Sequence, residues 1–373
     1  MKLCHLTLVA AVLATGCEAT TTPPAQTSAQ TRVQTIATGL AIPWGIAFLP
    51  DGTALVTERG LDELERPPAI PARILSITKD GTQTEVMRMN TFHDIKASGV
   101  RARGESGLLG IAVSPGYATD RWIYVYYTYT LVTNNPQPGV TATDNRIARF
   151  QIGGQLQEIL TGIPGGDFHD GGRIAFGPDG MLYATTGETY DTPQLAQDMN
   201  SLGGKILRMT PEGKVPAGNP FPGSLVWSLG HRNVQGIAWD RAGNLYASEL
   251  GPDTYDEMNL IKPGANYGWP VLTGVGNDPR YTNPIATWTP TKVASPSGIA
   301  VLGEHIYVAC LAGKRLYRVG LDGKGSQPLL TDEYGRLRSV AAAPDGSLWI
   351  LTSNRDGRGR PVPTDDRILR LVP

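Results

Sequence analysis

One short apolar unit recurs six times along the chain, and this repetition constrains the fold more than any other feature. In each copy, a β-prone segment is followed by a tight polar turn and a second apolar segment. The first segments are residues 44–48, 109–113, 173–176, 235–239, 297–301 and 339–342, and the second are 54–58, 123–128, 182–186, 245–249, 306–310 and 348–352. Such a repeated strand–turn–strand unit predicts a repeat architecture.

A third strand closes each unit, and the six are residues 73–78, 146–152, 205–210, 257–262, 315–320 and 367–371. This spacing predicts an all-β, six-bladed β-propeller over residues 32–373, with four-stranded antiparallel blades. The repeats are too long for a β-helix and too regular for two unrelated β-sandwiches. Candidates for the weaker fourth strands are 33–38 and 83–89. Because 33–38 comes first, we expect it to complete the C-terminal blade and so avoid a long exposed edge.

The composition fits this architecture and excludes one class of partner. The 373 residues include 45 glycines and 29 prolines, which suits many short strands joined by turns. The formal net charge is −1 and no basic run stands out, so nucleic acid is not an expected partner.

Residues 1–17 are predicted to be a signal peptide ending in a lipoprotein cleavage site. Lys2 precedes an apolar run, and small residues lead to Cys17. We therefore expect export to a bacterial cell envelope or periplasm, with a lipid on Cys17 as the membrane contact. Ordinary signal cleavage, which would remove Cys17, is the alternative. Residues 18–31 are predicted to be a flexible tether, and Cys310, the remaining cysteine, leaves no intramolecular disulfide in the mature domain.

His169 is the first candidate for chemistry, because turn residues place it on a loop that leads into a strand. A neutral imidazole is a good general base near pH 7. Glu188 ends the second strand of the same hairpin, so the chain reversal could bring its carboxylate to one imidazole nitrogen. The alternative is a histidine that is simply hydrogen-bonded in its loop.

Three further groups stand on loops at the ends of strands. Arg232 precedes the fourth unit and suits a carboxylate or phosphate ligand. The stretch from Glu249 through Glu257 offers acidic side chains and carbonyls that suit Ca²⁺, without EF-hand spacing. Arg336 and Arg338 flank one residue at the start of the sixth unit, so both point to one face and could hold an anion. Surface salt bridges and a solvated acidic turn are the alternatives.

Taken together, five motifs resemble the soluble quinoprotein glucose/sorbosone dehydrogenase family, particularly its aldose sugar dehydrogenase branch. They are Gly104-Glu105-Ser106-Gly107, His169-Asp170-Gly171-Gly172-Arg173, Gly230-His231-Arg232-Asn233, Glu249-Leu250-Gly251-Pro252 and Asn266-Tyr267-Gly268-Trp269-Pro270. The resemblance covers essentially the whole propeller. It implies a sugar substrate, the cofactor pyrroloquinoline quinone (PQQ), Ca²⁺ and an electron acceptor that the sequence does not identify.

The resemblance also implies roles for individual residues. His169 would take the proton of the anomeric hydroxyl while hydride passes from C1 to the quinone, giving an aldonolactone, and Glu188 would orient His169. Cofactor-binding positions would be Glu105, Arg232, Asn233, Lys314, Arg336 and Arg338, and calcium-binding positions would be Glu249, Gly251 and Pro252.

Four positions depart from the family pattern. Glu105 stands where the glucose enzymes have a glutamine, and Glu188 replaces the usual aspartate. Leu250 replaces a polar residue, and Ala312 takes the place of a lysine, with Lys314 two residues later. These departures bear on cofactor affinity. Two other functions stay open: a Ca²⁺-dependent propeller lactonase, and a non-catalytic propeller that binds a sugar or protein.

Overall fold

The computed structural model describes residues 1, 32–62, 68–89, 99–131 and 142–372. The signal peptide, the tether and Cys17 therefore lie outside the described residues. Residues 32–373 form one compact unit. No helix in the described ranges is long and apolar enough to cross a membrane.

Nearly all of the regular structure is β-strand, and the strands are short. The first ten are β1 (Arg32–Ala37), β2 (Pro43–Phe48), β3 (Ala54–Glu58), β4 (Ala72–Ile77), β5 (Gln83–Met89), β6 (Gly99–Val100), β7 (Leu108–Val113), β8 (Ile123–Leu131), β9 (Ala142–Phe150) and β10 (Gln157–Pro164). The next eight are β11 (Ile174–Phe176), β12 (Leu182–Thr185), β13 (Lys205–Met209), β14 (Val226–Leu229), β15 (Val234–Trp239), β16 (Leu245–Glu249), β17 (Asp256–Ile261) and β18 (Ala286–Trp288).

The last seven strands are β19 (Pro296–Leu302), β20 (His305–Cys310), β21 (Arg315–Gly320), β22 (Gln327–Leu329), β23 (Leu337–Ala342), β24 (Leu348–Thr352) and β25 (Ile368–Val372). One short α-helix, α1, spans Tyr117–Asp120, and 3₁₀ turns span Pro193–Ala196 and Thr291–Val293. The third strand of the second unit begins four residues earlier than predicted, at Ala142, and those of the first and fourth units begin one residue earlier, at Ala72 and Asp256.

The strands form six antiparallel sheets, which confirms the six-bladed propeller. Four blades are the consecutive sets β2–β5, β11–β14, β15–β18 and β19–β22. The second blade consists of β7–β10 and a fifth strand, β6. Both β6 and β7 pair with the same edge of β8, at different residues along it. The sixth blade has the order β1-β25-β24-β23, with Val33 opposite Leu371. The predicted closure by the N-terminal strand is therefore confirmed, as is the fourth strand at residues 83–89.

The innermost strands β2, β7, β11, β15, β19 and β23 surround the axis, each beside the next. A glycine in the recurring Gly-Ile-Ala motif explains this close approach. A Cβ on Gly110 would lie 2.2 Å from the carbonyl oxygen of Gly172, and one on Gly236 would lie 2.4 Å from that of Ser297. Only a residue without a side chain lets these backbones meet.

The core lies between neighbouring blades rather than in one central mass. For example, Tyr126 of the second blade and Leu207 of the third belong to one buried apolar cluster.

Antiparallel pairing brings the start of each inner strand beside the end of the following strand, as Ile174 lies opposite Ala184. The loops that carry the candidate residues therefore gather at one end of the axis.

Candidate active site

His169 and Glu188 form a buried pair at the open end of the first hairpin of the third blade, where His169 precedes β11 and Glu188 follows β12. Nδ1 of His169 lies 2.7 Å from Oε1 of Glu188, and the two residues are only 7% and 1% exposed. His169 adopts a left-handed φ of 57°, which turns its side chain back over the hairpin. A Cβ on Gly187 would lie 1.7 Å from the carbonyl oxygen of His169. The open end of the hairpin therefore requires glycine at that position.

The other imidazole nitrogen remains available for chemistry. Nε2 of His169 has no hydrogen bond to any described residue, and the imidazole and the Tyr190 ring pack edge-to-face with their centres 5.0 Å apart. With Nδ1 engaged by a carboxylate, Nε2 is the atom that can accept a proton. This is the geometry expected of a positioned general base.

Asp170 supports the loop from the opposite side. Its Oδ1 accepts hydrogen bonds from the Asn145 side chain (2.9 Å) and from the Gly166 backbone (3.0 Å). Burial raises the pKa of Asp170 to about 7, although both hydrogen bonds act to lower it. The Oδ2 atom is buried without a hydrogen-bond partner. Asp170 therefore anchors the loop that presents His169.

Glu105 lies between His169 and a basic side chain from the sixth blade. Its Oε1 accepts a hydrogen bond from Nη1 of Arg358 at 2.7 Å, and its Oε2 lies 3.4 Å from the His169 backbone nitrogen. Burial raises the pKa of Glu105, but the charges of Arg358, His169 and Arg338 outweigh it and the pKa is lowered. The carboxylate that departs from the family pattern is thus neutralised by Arg358.

Asn233 connects the third blade to the fourth. Its Oδ1 accepts a hydrogen bond from the Gly171 backbone at 3.1 Å, and its Nδ2 lies 3.5 Å from Oε2 of Glu105. A backbone bridge also pairs Asn233 with Gly187. Asn233 therefore fixes the position of the loop that carries His169.

Arg336 and Arg338 converge on the carboxylate of Asp356, as their shared strand face predicts. Nη2 of Arg336 lies 2.9 Å from Oδ2 of Asp356, and Nη2 of Arg338 lies 3.6 Å from the same oxygen. Burial lowers the pKa of Arg338 to about 10, and its Nε atom has no hydrogen-bond partner. Two buried cations thus share one carboxylate and retain capacity for another anion.

Lys314 lies at the rim rather than within this cluster. Its side chain is half exposed and 3.9 Å from Asp332. It lines the same cavity of about 560 Å³ as Arg336 and Arg358. Lys314 thus faces the same cavity as Arg336 and Arg358, whereas Ala312 carries no cation.

The loop after β16 offers carbonyl oxygens, but a guanidinium already contacts two of them. Nη1 of Arg232 donates to the carbonyl oxygens of Leu250 (3.1 Å) and Gly251 (3.0 Å). Arg232 is mostly buried, and burial lowers its pKa. A cation at Gly251 would therefore require Arg232 to turn away. Pro252 lies beside this contact and lines a small cavity with Arg232.

Glu249 has partners other than those carbonyls. Its Oε2 lies 3.0 Å from Nδ1 of His231, and its Oε1 accepts a hydrogen bond from the backbone nitrogen of Arg232. As a calcium ligand, Glu249 would have to give up these contacts. In the described part of the chain, no group of three or more His, Cys, Asp and Glu side chains is arranged to hold a metal ion.

Sequence reasoning missed Asp356 and Arg358, two residues that complete the site. Both lie on the loop that follows β24, the second strand of the sixth blade. The same topological position in the third and fourth blades carries Glu188 and Glu249. That correspondence, together with the alternating charges of the segment, is the signal that could have identified them.

Comparison with known proteins identifies the family. A family model described as Glucose / Sorbosone dehydrogenase matches residues 40–369. The chain belongs to the glucose/sorbosone dehydrogenase family. The family assignment agrees with the resemblance that the motifs carry.

Individual relatives are similar over nearly the whole family domain. The chain is 30% identical to the aldose sugar dehydrogenase YliI of Escherichia coli, over 88% of this chain and 92% of that protein. It is 47% identical to the PQQ-bound aldose sugar dehydrogenase of Streptomyces coelicolor, with a TM-score of 0.78 over 92% of this chain and 98% of that one. A putative oxidoreductase (glucose dehydrogenase) of Thermus thermophilus is 42% identical, with a TM-score of 0.79 over 92% of this chain and all of that one.

Proposed function

We propose that the protein oxidises aldose sugars at C1 to aldonolactones, with PQQ as cofactor. The observation that carries the proposal is the buried His169–Glu188 pair, whose imidazole keeps Nε2 available beside a cluster of arginines. A hydroxyl that loses hydride needs a base for its proton, and an anionic cofactor needs cations. The membership of the chain in a sugar dehydrogenase family supports the same reaction.

The residues present fit a trianionic quinone cofactor. Arg336 and Arg338 share a single carboxylate, and Nε of Arg338 is a buried donor without a partner. Arg232 adds a third guanidinium, and Asn233 and Lys314 complete the set that would hold the cofactor. When bound, PQQ would supply a two-electron acceptor for hydride.

In the proposed reaction, His169 and Glu188 handle the proton. Nε2 of His169 takes the proton of the C1 hydroxyl as the C1–H bond breaks and its electron pair leaves with the hydride. Glu188 holds Nδ1 of the imidazole and stabilises the positive charge that the ring acquires. Burial of the pair excludes water and strengthens this interaction.

The proposal also includes a bound calcium ion. The carbonyl oxygens of Gly251 and Pro252 are hard ligands of the kind that Ca²⁺ accepts. Because Arg232 donates to Gly251, these donors do not form a site by themselves as the side chains lie. We propose that Ca²⁺ binds there together with the cofactor, whose carboxylates would draw Arg232 away. Binding of Ca²⁺ can be tested separately from sugar oxidation.

The decisive experiment titrates the purified protein with PQQ, with and without Ca²⁺. Cofactor absorbance reports binding, and reduction of a dye by glucose reports turnover. We expect saturable binding and glucose-dependent dye reduction, and we expect His169→Ala to bind PQQ with turnover reduced by about 10³-fold. Absence of saturable binding at micromolar PQQ would exclude the proposed cofactor. Unchanged turnover in His169→Ala would exclude the proposed base.

We also propose export and lipid attachment at Cys17, on the sequence pattern alone. Mass spectrometry of the N-terminal peptide from bacterial membranes would detect acyl chains on Cys17. A mature N-terminus beyond residue 17 would show ordinary signal cleavage instead.

A further inference from the structure

Arg173 extends its side chain to the propeller axis, away from the His169–Glu188 pair. Its Nε donates to the carbonyl oxygen of Gln235 at 2.9 Å, on the inner strand of the fourth blade. Its guanidinium carbon lies 4.2 Å from the centre of the Trp44 ring, on the inner strand of the first blade. A Cβ on Gly298 of the fifth blade would lie 3.1 Å from its Nη2. The side chain therefore spans the centre of the ring.

This guanidinium lacks a countercharge. Arg173 is 8% exposed, and its Nη2 atom is buried without a hydrogen-bond partner. Within the described residues, no acidic side chain forms an ion pair with Arg173. The nearby charge is that of Arg338, and the two guanidinium groups repel each other. Burial lowers the pKa of Arg173 to about 9, so the group remains charged at neutral pH.

A cavity of about 530 Å³ adjoins this side chain on the side of the inter-strand turns. The inner strands of all six blades line it, with residues such as Ile46, Ile111 and Ile299. Among the described lining residues, Arg173 is the one that carries a charge. The cavity is thus lined mainly by apolar side chains, together with backbone groups, and Arg173 supplies its single cation.

The energetics favour an anion over water alone. A buried, charged donor without a partner is costly, and the cost is larger for an unpaired charge than for a neutral group. A water molecule would satisfy the N–H group but would not offset the charge. A monovalent ion matches the single cation, whereas sulfate or phosphate would lose more hydration energy on entering the cavity.

We propose that the axial cavity binds a small monovalent anion of the halide class against the guanidinium of Arg173. The anion would also reduce the repulsion between Arg173 and Arg338, and so help to hold Arg338 in its place beside Asp356. This site is separate from the proposed sugar and cofactor site, and its test uses neither sugar nor PQQ.

The test is anomalous diffraction from crystals of the cofactor-free protein soaked in sodium bromide. We expect a bromide peak in the axial cavity within hydrogen-bonding distance of Arg173. A spherical peak without anomalous signal, in crystals whose surface sites do carry bromide, would identify water and overturn the proposal.

A solution experiment supplies the matched control. The change in melting temperature is measured when sodium bromide replaces sodium sulfate at fixed ionic strength. Bromide should favour the wild-type protein over the Arg173→Gln variant, so that the two changes differ by at least about 2 °C. Arg318→Gln changes a half-buried arginine that contacts Gln327, and it should keep the wild-type response. Equal responses in all three proteins would contradict the proposal. If Arg173→Gln does not fold, the anomalous map of the wild-type protein still decides.

Discussion

Asp356 accepts two hydrogen bonds from Arg336, at 3.1 Å from Nε and 2.9 Å from Nη2. Its carboxylate thus supplies, from within the chain, a negative charge to Arg336, which precedes β23, and to Arg338 within that strand. Because Arg338 also approaches the same oxygen, the pair is partly neutralised before any ligand binds. The bound cofactor must either share these arginines with Asp356 or displace it.

Asp356→Asn should destabilise the cofactor-free protein by about 3 kcal/mol, because it leaves two buried guanidinium groups without their carboxylate. The arginines hold the pKa of Asp356 below its usual range despite burial. The loss of stability caused by Asp356→Asn should therefore be complete above about pH 4. It should disappear as the pH falls through the pKa of Asp356 in the folded protein. Urea unfolding at several pH values measures it. Asp345→Asn, at a more exposed pair with Arg370, should cost less than about 1 kcal/mol.

Arg358→Ala should weaken PQQ binding by about tenfold or more, because it leaves Glu105 as an unpaired carboxylate near an anionic cofactor. The double variant Arg358→Ala, Glu105→Gln should recover most of the affinity, since the repelling charge is gone. Isothermal titration of the four proteins gives the coupling energy. Additive effects of the two substitutions would show that Arg358 does not act through Glu105.

Glu188→Ala should lower kcat by about 10²-fold while the KM for the sugar and the PQQ affinity change little. The carboxylate touches the imidazole and not the substrate, so its loss affects the step in which the ring becomes charged. Glu188→Asp, with a shorter side chain, should restore part of kcat. A parallel loss of PQQ affinity in the alanine variant would instead indicate a structural role.

Calcium should not bind measurably to the cofactor-free protein at submillimolar concentration, because Arg232 contacts Gly251 and no three acidic, His or Cys side chains among the described residues are arranged to hold a metal ion. With PQQ present, calorimetry should show saturable binding of Ca²⁺. Tight binding of Ca²⁺ without the cofactor would contradict the proposed order. Mg²⁺, which is smaller and holds its water more firmly, serves as the control ion.

Asp170→Asn should stabilise the protein increasingly as the pH rises. Burial raises the pKa of Asp170 to about 7, so between about pH 4 and 7 the folded protein holds a proton that the unfolded chain has lost. The wild-type protein loses stability across this window, and the variant has no such group. Melting temperatures at pH 5 and pH 8 measure the difference, and parallel pH profiles would count against a neutral Asp170.

Much of the fold was predictable because its signals are local. The repeated Gly-Ile-Ala segments and the Pro-Asp-Gly turns mark the inner strands without reference to distant residues. The pairing of β1 with β25 was also predictable, since an unpaired strand at each terminus would leave exposed edges. The extra strand β6 was not, because two residues carry no periodicity.

The site was predictable only where one hairpin contains both partners. His169 and Glu188 are nineteen residues apart on a strand–turn–strand unit, so their proximity follows from chain reversal. The contact between Glu105 and Arg358 joins residues 253 positions apart, from the second and sixth blades. Nothing in either local sequence indicates the other.

The sequence alone determined the repeat, the number of blades and the residue types available at the loop ends, since these depend on short-range periodicity and turn chemistry. Only the tertiary structure decided which charges from different blades meet: Arg358 with Glu105, and Arg173 with no acidic partner among the described residues. The physical reason is that ring closure brings loops from all six blades to one axis. There, burial makes each long-range pairing of charges, or its absence, energetically important.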